Sequence, residues 1–466
     1  MSPEAERLRG KTVLVVGLGR SGLAAARRLL SWGAKVVAVD RAPLEKLPRE
    51  VQLLGSAGVQ LSCGAHDPAL FAAADLIVLA PGVPTDLPEL AAARKRGVVI
   101  CSEIDLVAPI VGERVIAVTG SNGKSTTTAL AAAMLGAAGR EGVPCANFGV
   151  PFCDAAQGDH PGRWYAAELS SFQLEITHEL TASAAVLLNV QADHLDRHGS
   201  FAAYRAAKEL IADLRRPGAP LVLCVDDPLV AEFAARAEGP VLEVSARREV
   251  NAGGCVVGDR LLLRVAGREE TLATCAELPI PGRHNRINIL AAAAACRAVG
   301  APLEAVRKAT LAFKALPHRL QEAAQVGGVR YVDDSKATNV GSVLEALAAV
   351  RETLRPGARI HVLLGGRDKD SDFAPLAAAL AEAGAAALTF GEAGPVVAAA
   401  LERAGFGDVR RAESMEDAAR AARDAARVGD VVLLSPACAS FDAFNGYAAR
   451  GAAFAALVRG FAEEGA

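Results

Sequence analysis

The run Gly120-Ser121-Asn122-Gly123-Lys124-Ser125-Thr126 combines a glycine turn, a lysine and hydroxyls, directly after the β-branched segment 114–118. Between a strand and a helix, such a loop points backbone N–H groups at phosphates. Its lysine reaches the transferring end and a hydroxyl holds magnesium. The strict P-loop pattern wants glycine at position 118, where this chain has valine, so the motif reads as a shortened variant. Hydrolysis of ATP, or transfer from it, is the chemistry this loop predicts.

A second glycine turn, Gly17-Leu18-Gly19-Arg20-Ser21-Gly22, follows the run TVLVV, and Asp40 ends the next apolar run. Taken alone it reads as a dinucleotide fingerprint, with the acid placed for a ribose hydroxyl. It would equally serve as a tight strand-to-helix turn without a ligand.

Two further segments gather ionisable groups. Glu168-Leu169-Ser170-Ser171-Phe172-Gln173-Leu174-Glu175 follows the strand-like Trp164–Ala167, and a carboxylate there suits a magnesium ligand. Asp193-His194-Leu195-Asp196-Arg197-His198 is costly to place unless it is solvated or coordinating, though a polar surface loop would also satisfy it. Lys208 lies beyond it on a helix predicted to be capped near Ser200; on sequence alone it reads as a surface lysine.

These segments sit in a pattern of short β-branched runs alternating with helical stretches, which predicts an α/β protein with parallel sheets. Strands are expected at 12–16, 35–39, 76–80, 184–188, 359–364, 386–390 and 430–434, with helices at 20–32 and 86–96. Residues 251–275 read as an antiparallel flap. Restarts of the pattern divide the chain into residues 1–102, 103–315 and 316–466. At 466 residues there is ample mass for several cores, and a net charge of −3 gives no basic field for nucleic acid. Nine singly placed cysteines fit reduced, mostly buried thiols. The polar start and the absence of long apolar runs lead us to expect a cytoplasmic protein without membrane insertion. Only 10 of the 50 basic residues are lysine, which gives a lysine inside a motif extra weight.

The order of GSNGKST, ELSSFQLE, DHLDRHGSFAAYRAAK, GRHNRINILAA, LPHRLQ, DDSKATN and SPACAS resembles that of the Mur ligases, over essentially the whole chain. The likeness is strongest to the branch that adds D-glutamate. It implies a Rossmann-like N-terminal domain, a central P-loop-type ATPase domain and a C-terminal Rossmann-like domain. It also implies ATP-driven joining of D-glutamate to UDP-N-acetylmuramoyl-L-alanine by a monomer, with two Mg²⁺ ions and no NAD. By motif match, Gly120 to Thr126 would bind ATP, with Lys124 on the β/γ-phosphates and Ser125 on one magnesium. Glu168 would ligate magnesium, and His194 would hold a second ion with Lys208.

In families of this kind the matching lysine is carbamylated, which turns a cation into a carboxylate-like ligand; arginine cannot do this. Asn285 and Asn288 would meet adenine, with a helix N-cap as their plain alternative. Arg319 would reach the γ-phosphate across an interdomain cleft, and Asp334 would bind the ribose. Leu18, Gly19, Arg20, Ser21, Asp40, Arg41, Asn147, Gln173 and His194 would contact the nucleotide sugar. His318, Lys336, Thr338, Lys369, Ser440 and Phe441 would receive D-glutamate, with Tyr447 nearby. Where the family often has leucine at 441, this chain has phenylalanine. Two rivals fare worse: a sibling ligase adding another amino acid, against which the run SPACASF and the absence of an Asp-Asn-Pro-Arg signature speak, and a nicotinamide dehydrogenase built on the first glycine turn, which leaves the Lys124 loop, the His194 cluster and the C-terminal domain unexplained.

Overall fold

The computed structural model describes residues 3–464, whose strands assemble into three sheets covered by helices. The first sheet is wholly parallel, in the order Gln60–Cys63, Lys35–Asp40, Thr12–Val16, Leu76–Leu79, Val99–Cys101. Val13, Leu14, Val15 and Val16 are completely buried, as expected where helices cover both faces of a strand. The order reverses at Thr12–Val16. Loops leaving that strand and Leu76–Leu79 therefore diverge and open a crevice at their carboxyl ends.

The second sheet runs Arg268–Thr274, Arg260–Val265, Gly253–Val257, Val241–Ser245, Leu221–Cys224, Ala184–Leu187, Val115–Thr119, Arg163–Glu168, Glu141–Ala146. Its pairs are parallel except the two that Arg260–Val265 makes. Residues 251–275 are antiparallel as the sequence predicts, but they extend this sheet and do not stand off as a flap. The reason is burial: Cys255, Leu261, Leu262, Leu263 and Leu272 carry more apolar surface than an isolated hairpin could hide. In the third sheet, Gln321–Val326 forms a hairpin with Val329–Asp333 through Gly327-Gly328. Val431–Ala437, Ile360–Gly365, Ala386–Phe390 and Val409–Arg411 follow in parallel.

The chain divides into two compact units. One comprises residues 1–276 and 287–311 and carries the first two sheets; the other comprises 277–286 and 312–466 and carries the third. Helix Arg283–Ala298 begins in the second unit and continues in the first. All nine cysteines are free thiols, seven of them buried. No helix among the described residues is long and apolar enough to cross a membrane.

Candidate active site

In the first unit, the switch point of the parallel sheet holds a cavity of about 610 Å³. Leu18, Gly19, Arg20, Ser21, Asp40, Arg41, Asn147 and Gln173 all line it; His194 does not. His66 and the loop Ala80–Pro84 complete the wall, and no motif in the sequence marked them. Gly22 lets the turn pack tightly, since a Cβ there would lie 1.8 Å from the Gly17 carbonyl oxygen. Asp40 has both carboxylate oxygens engaged by the backbone. Its Oδ2 accepts the Leu18 N–H at 2.7 Å and its Oδ1 the Ala42 N–H at 2.9 Å, so the carboxylate shapes the glycine turn.

The loop 120–123 lies between strand Val115–Thr119 and helix Lys124–Ala137. Gly123 adopts φ +83°, and a Cβ there would meet Asn288 Oδ1 at 2.3 Å. Asn288 Oδ1 also accepts from Thr127 Oγ1 at 3.3 Å, so this asparagine faces the loop. The loop is braced from three directions. The Asn122 N–H donates to Asn189 Oδ1 at 2.8 Å, Ser121 Oγ accepts the Gln191 N–H at 2.8 Å, and Tyr204 Oη lies 2.8 Å from Ser121 Oγ.

Two amines converge on this loop. Lys124 Nζ donates to the Gly120 and Ser121 carbonyls at 2.8 and 2.9 Å, and Lys208 Nζ donates to the same Gly120 oxygen at 2.8 Å. Lys208 sits on helix Phe201–Glu209, whose N-cap is Ser200, and is 2% exposed; the surface reading of this lysine does not hold. Burial, with the Lys124 charge adding to it, pulls its pKa well below the ordinary lysine value.

Glu168 ends the strand beside Val115–Thr119 and is likewise 2% exposed. Its Oε1 accepts from Asn147 Nδ2 at 2.5 Å, while its buried Oε2 has no hydrogen-bond partner among the described residues. A carboxylate oxygen desolvated without a partner is costly, and a cation would meet it. His194 caps the short helix Leu195–His198 in the left-handed conformation, φ +54°, with its ring against Phe172. Gln173 closes a capping box on Ser170, which fixes the turn after Glu168.

In the second unit, loops at the carboxyl ends of the third sheet carry the predicted residues from His318 to Phe441. His318 Nδ1 pairs with Asp333 Oδ2 at 2.7 Å, and Lys336 Nζ lies 3.8 Å from the centre of the Tyr447 ring. Asp334 accepts from Ser435 Oγ and the Leu320 N–H; burial raises its pKa to about 7, against which the Arg319 charge acts. Asn285 lies in the first turn of its helix, not at the cap, and returns its amide to the Pro281 carbonyl at 2.7 Å. Ser440 is buried, whereas Phe441 is 65% exposed and Lys369 is exposed; Thr338 is half-buried.

What ties these loops together is Arg450, which sequence reasoning missed. It is completely buried. Its Nε donates to Ser335 Oγ, Nη1 to the Gly365 and Ala439 carbonyls, and Nη2 to the Ser335 and Cys438 carbonyls. All five N–H donors are used, and burial brings the guanidinium pKa down to about 10.

Three family descriptions match in order: the Mur ligase MurD-like N-terminal domain over residues 11–102, the Mur ligase middle domain over 118–296, and the Mur ligase glutamate ligase domain over 318–438. A UDP-N-acetylmuramoylalanine–D-glutamate ligase of Koribacter versatilis is 41% identical over 457 residues, covering 98% of this chain and 99% of that protein. The namesake from Symbiobacterium thermophilum is 41% identical over 447 residues, covering 95% and 97%. Among solved structures, the MurF ligase of Thermotoga maritima in complex with ADP superposes with a TM-score of 0.60 at 17% identity, covering all of both chains; it bears on the fold alone. From this match along its whole length, the chain belongs to the Mur ligase family.

Proposed function

We propose that this chain joins D-glutamate to UDP-N-acetylmuramoyl-L-alanine with ATP as the driving reactant, as a cytoplasmic monomer in peptidoglycan precursor synthesis. One observation carries the reading: relatives bearing that activity in their names are about 41% identical to it across nearly the whole length of both proteins.

A carboxylate is a poor acyl donor at neutral pH, so the reaction begins by activating it. The terminal alanyl carboxylate of the nucleotide sugar attacks the γ-phosphorus of ATP, the bond to the β-phosphate oxygen breaks, and ADP leaves. This step needs alignment and charge neutralisation more than covalent help. The glycine loop at Gly120 to Gly123 and the Lys124 ammonium hold the phosphates, and Arg319 adds charge to the transferring group. The uncharged amine of D-glutamate then attacks the acyl phosphate. The tetrahedral intermediate expels inorganic phosphate, the nitrogen gives up its proton, and an amide remains.

The residues present fit Mg²⁺, an ion ordinarily held by one or two carboxylates together with substrate phosphates. Glu168, with its partnerless oxygen, and Ser125 would hold one ion, and His194 and Lys208 the second. When bound, the ions neutralise charge on the phosphoryl oxygens. Lys208 serves as a carbamate: its depressed pKa favours the free amine, which adds to carbon dioxide and releases a proton, leaving an anion. Asn285, Asn288 and Asp334 hold the adenosine. The cavity at the first glycine turn takes the uridine diphosphate end of the sugar. Lys336, Thr338, Lys369, Ser440, Phe441 and His318 hold D-glutamate.

Phosphate release from ATP, measured with the nucleotide sugar and a panel of amino acids, tests the reading. D-Glutamate should be the amino acid that supports turnover. Turnover with L-alanine or a diamino acid and none with D-glutamate would replace it with a sibling ligase.

A further inference from the structure

His198, which closes the Asp193–His198 segment, has no part in the reaction above. Its side chain is 1% exposed. Nε2 lies 2.9 Å from Ser171 Oγ, and Nδ1 lies 3.3 Å from Glu175 Oε1. One face of the ring stacks on Phe172, with centroids 5.2 Å apart at 16°, and Tyr204 meets it edge-on at 5.3 Å. Both nitrogens are engaged and the ring is enclosed, so His198 is built neither to coordinate an ion nor to exchange a proton with substrate.

Its neighbours give it another task. Phe172 also packs against the His194 ring, with centroids 5.1 Å apart, and Arg197 approaches the same phenyl ring at 5.5 Å. Tyr204 carries the contact onward, since its hydroxyl lies 2.8 Å from Ser121 Oγ in the phosphate-facing loop. His198 therefore contacts the segment after Glu168, and through Phe172 and Tyr204 it reaches His194 and Ser121. His194 keeps a left-handed backbone, which a residue with a side chain adopts only where its surroundings impose it.

We propose that His198 is a positioning residue: its ring, clamped by Ser171 and Glu175, stacks Phe172 and Tyr204 so that His194 and the phosphate-facing loop stay in register with Glu168 for Mg²⁺ and nucleotide. This rests on the nucleotide and Mg²⁺ reading above, and the ring itself is the working part. The alanine variant loses it; the phenylalanine variant keeps a flat ring in the stack.

The test is binding of a fluorescent, non-hydrolysable ATP analogue to the full chain during an Mg²⁺ titration, which needs no turnover. His198→Ala should raise the Mg²⁺ concentration for half-maximal binding roughly five-fold, the scale of one lost aromatic contact, with metal-free binding unchanged. His198→Phe keeps the stacked ring but loses the Ser171 and Glu175 contacts, and should raise the midpoint by less than the alanine variant does. If His198→Ala does not fold, Phe172→Leu removes the same stack together with the direct His194 contact and should shift the midpoint at least as far. An unchanged Mg²⁺ midpoint in the alanine or leucine variant would overturn the positioning role alone. So would a loss of metal-free and Mg²⁺-dependent binding together. An unsubstituted chain whose analogue binding ignores Mg²⁺ would overturn the nucleotide reading and this inference with it.

Discussion

Two regions of the molecule bury charge and treat it in opposite ways. Around the glycine loop at 120–123, charge is buried and left wanting: Glu168 is buried, and its Oε2 has no hydrogen-bond partner among the described residues. Beneath the loops of the third sheet, Arg450 is buried more completely, yet each of its five donors finds an acceptor. A satisfied buried charge is architecture, because nothing remains for a ligand to gain. An unsatisfied one marks where a ligand completes the structure.

Removing charge should therefore cost activity in the first region and stability in the second. Glu168→Gln should lower kcat by roughly 10³-fold while leaving the melting temperature within about 2 °C, read by steady-state kinetics beside calorimetry. A variant that melts much lower would place Glu168 among the architectural charges and break the contrast.

Arg450→Met should do the reverse. It takes the guanidinium donors from four backbone carbonyls and a serine hydroxyl, of which the Ala439 carbonyl keeps the Arg367 N–H and the Ser335 hydroxyl keeps the Tyr447 carbonyl, so stability should fall by roughly 3 kcal/mol in denaturant unfolding. Because these groups carry the loops of Lys336, Lys369 and Ser440, the KM for D-glutamate should rise with the KM for ATP little changed. Unaltered stability would remove Arg450 from the architecture.

Asp334 sharpens the comparison with a smaller effect. Its carboxyl holds a proton more tightly in the folded chain, where its pKa is about 7, than in the unfolded one. Folding therefore takes up a proton between the ordinary aspartate range and neutrality, and stability falls as pH rises through that window, with the full loss above pH 7. Asp334→Asn keeps both hydrogen bonds with the Leu320 N–H and Ser435 without the titration. Its melting temperature should drop less between pH 5 and pH 8 than that of the unsubstituted chain, by roughly 5 °C.

The contrast also divides what the sequence made legible from what it hid. Strands such as 12–16 and 386–390 announce themselves because a parallel strand buried on both faces must be an unbroken apolar run. The glycine turns are equally plain, since backbone that must approach another atom closely leaves its mark at single positions such as Gly22 and Gly123. Arg450 was hidden because its importance lies in partners far along the chain, as with Ser335 at a separation of 115 residues. An arginine in an alanine-rich helix reads as solvated, and only packing shows it buried. The sequence likewise placed Lys208 on the correct helix but could not give the burial that lowers its pKa.

The most direct test of the central claim, amide formation through an acyl phosphate, follows an oxygen atom. UDP-N-acetylmuramoyl-L-alanine labelled with ¹⁸O in its terminal carboxylate is turned over with ATP and D-glutamate, and the released inorganic phosphate is weighed by mass spectrometry. The account predicts that each phosphate carries one oxygen from the labelled carboxylate. Amide product accompanied by unlabelled phosphate would contradict it.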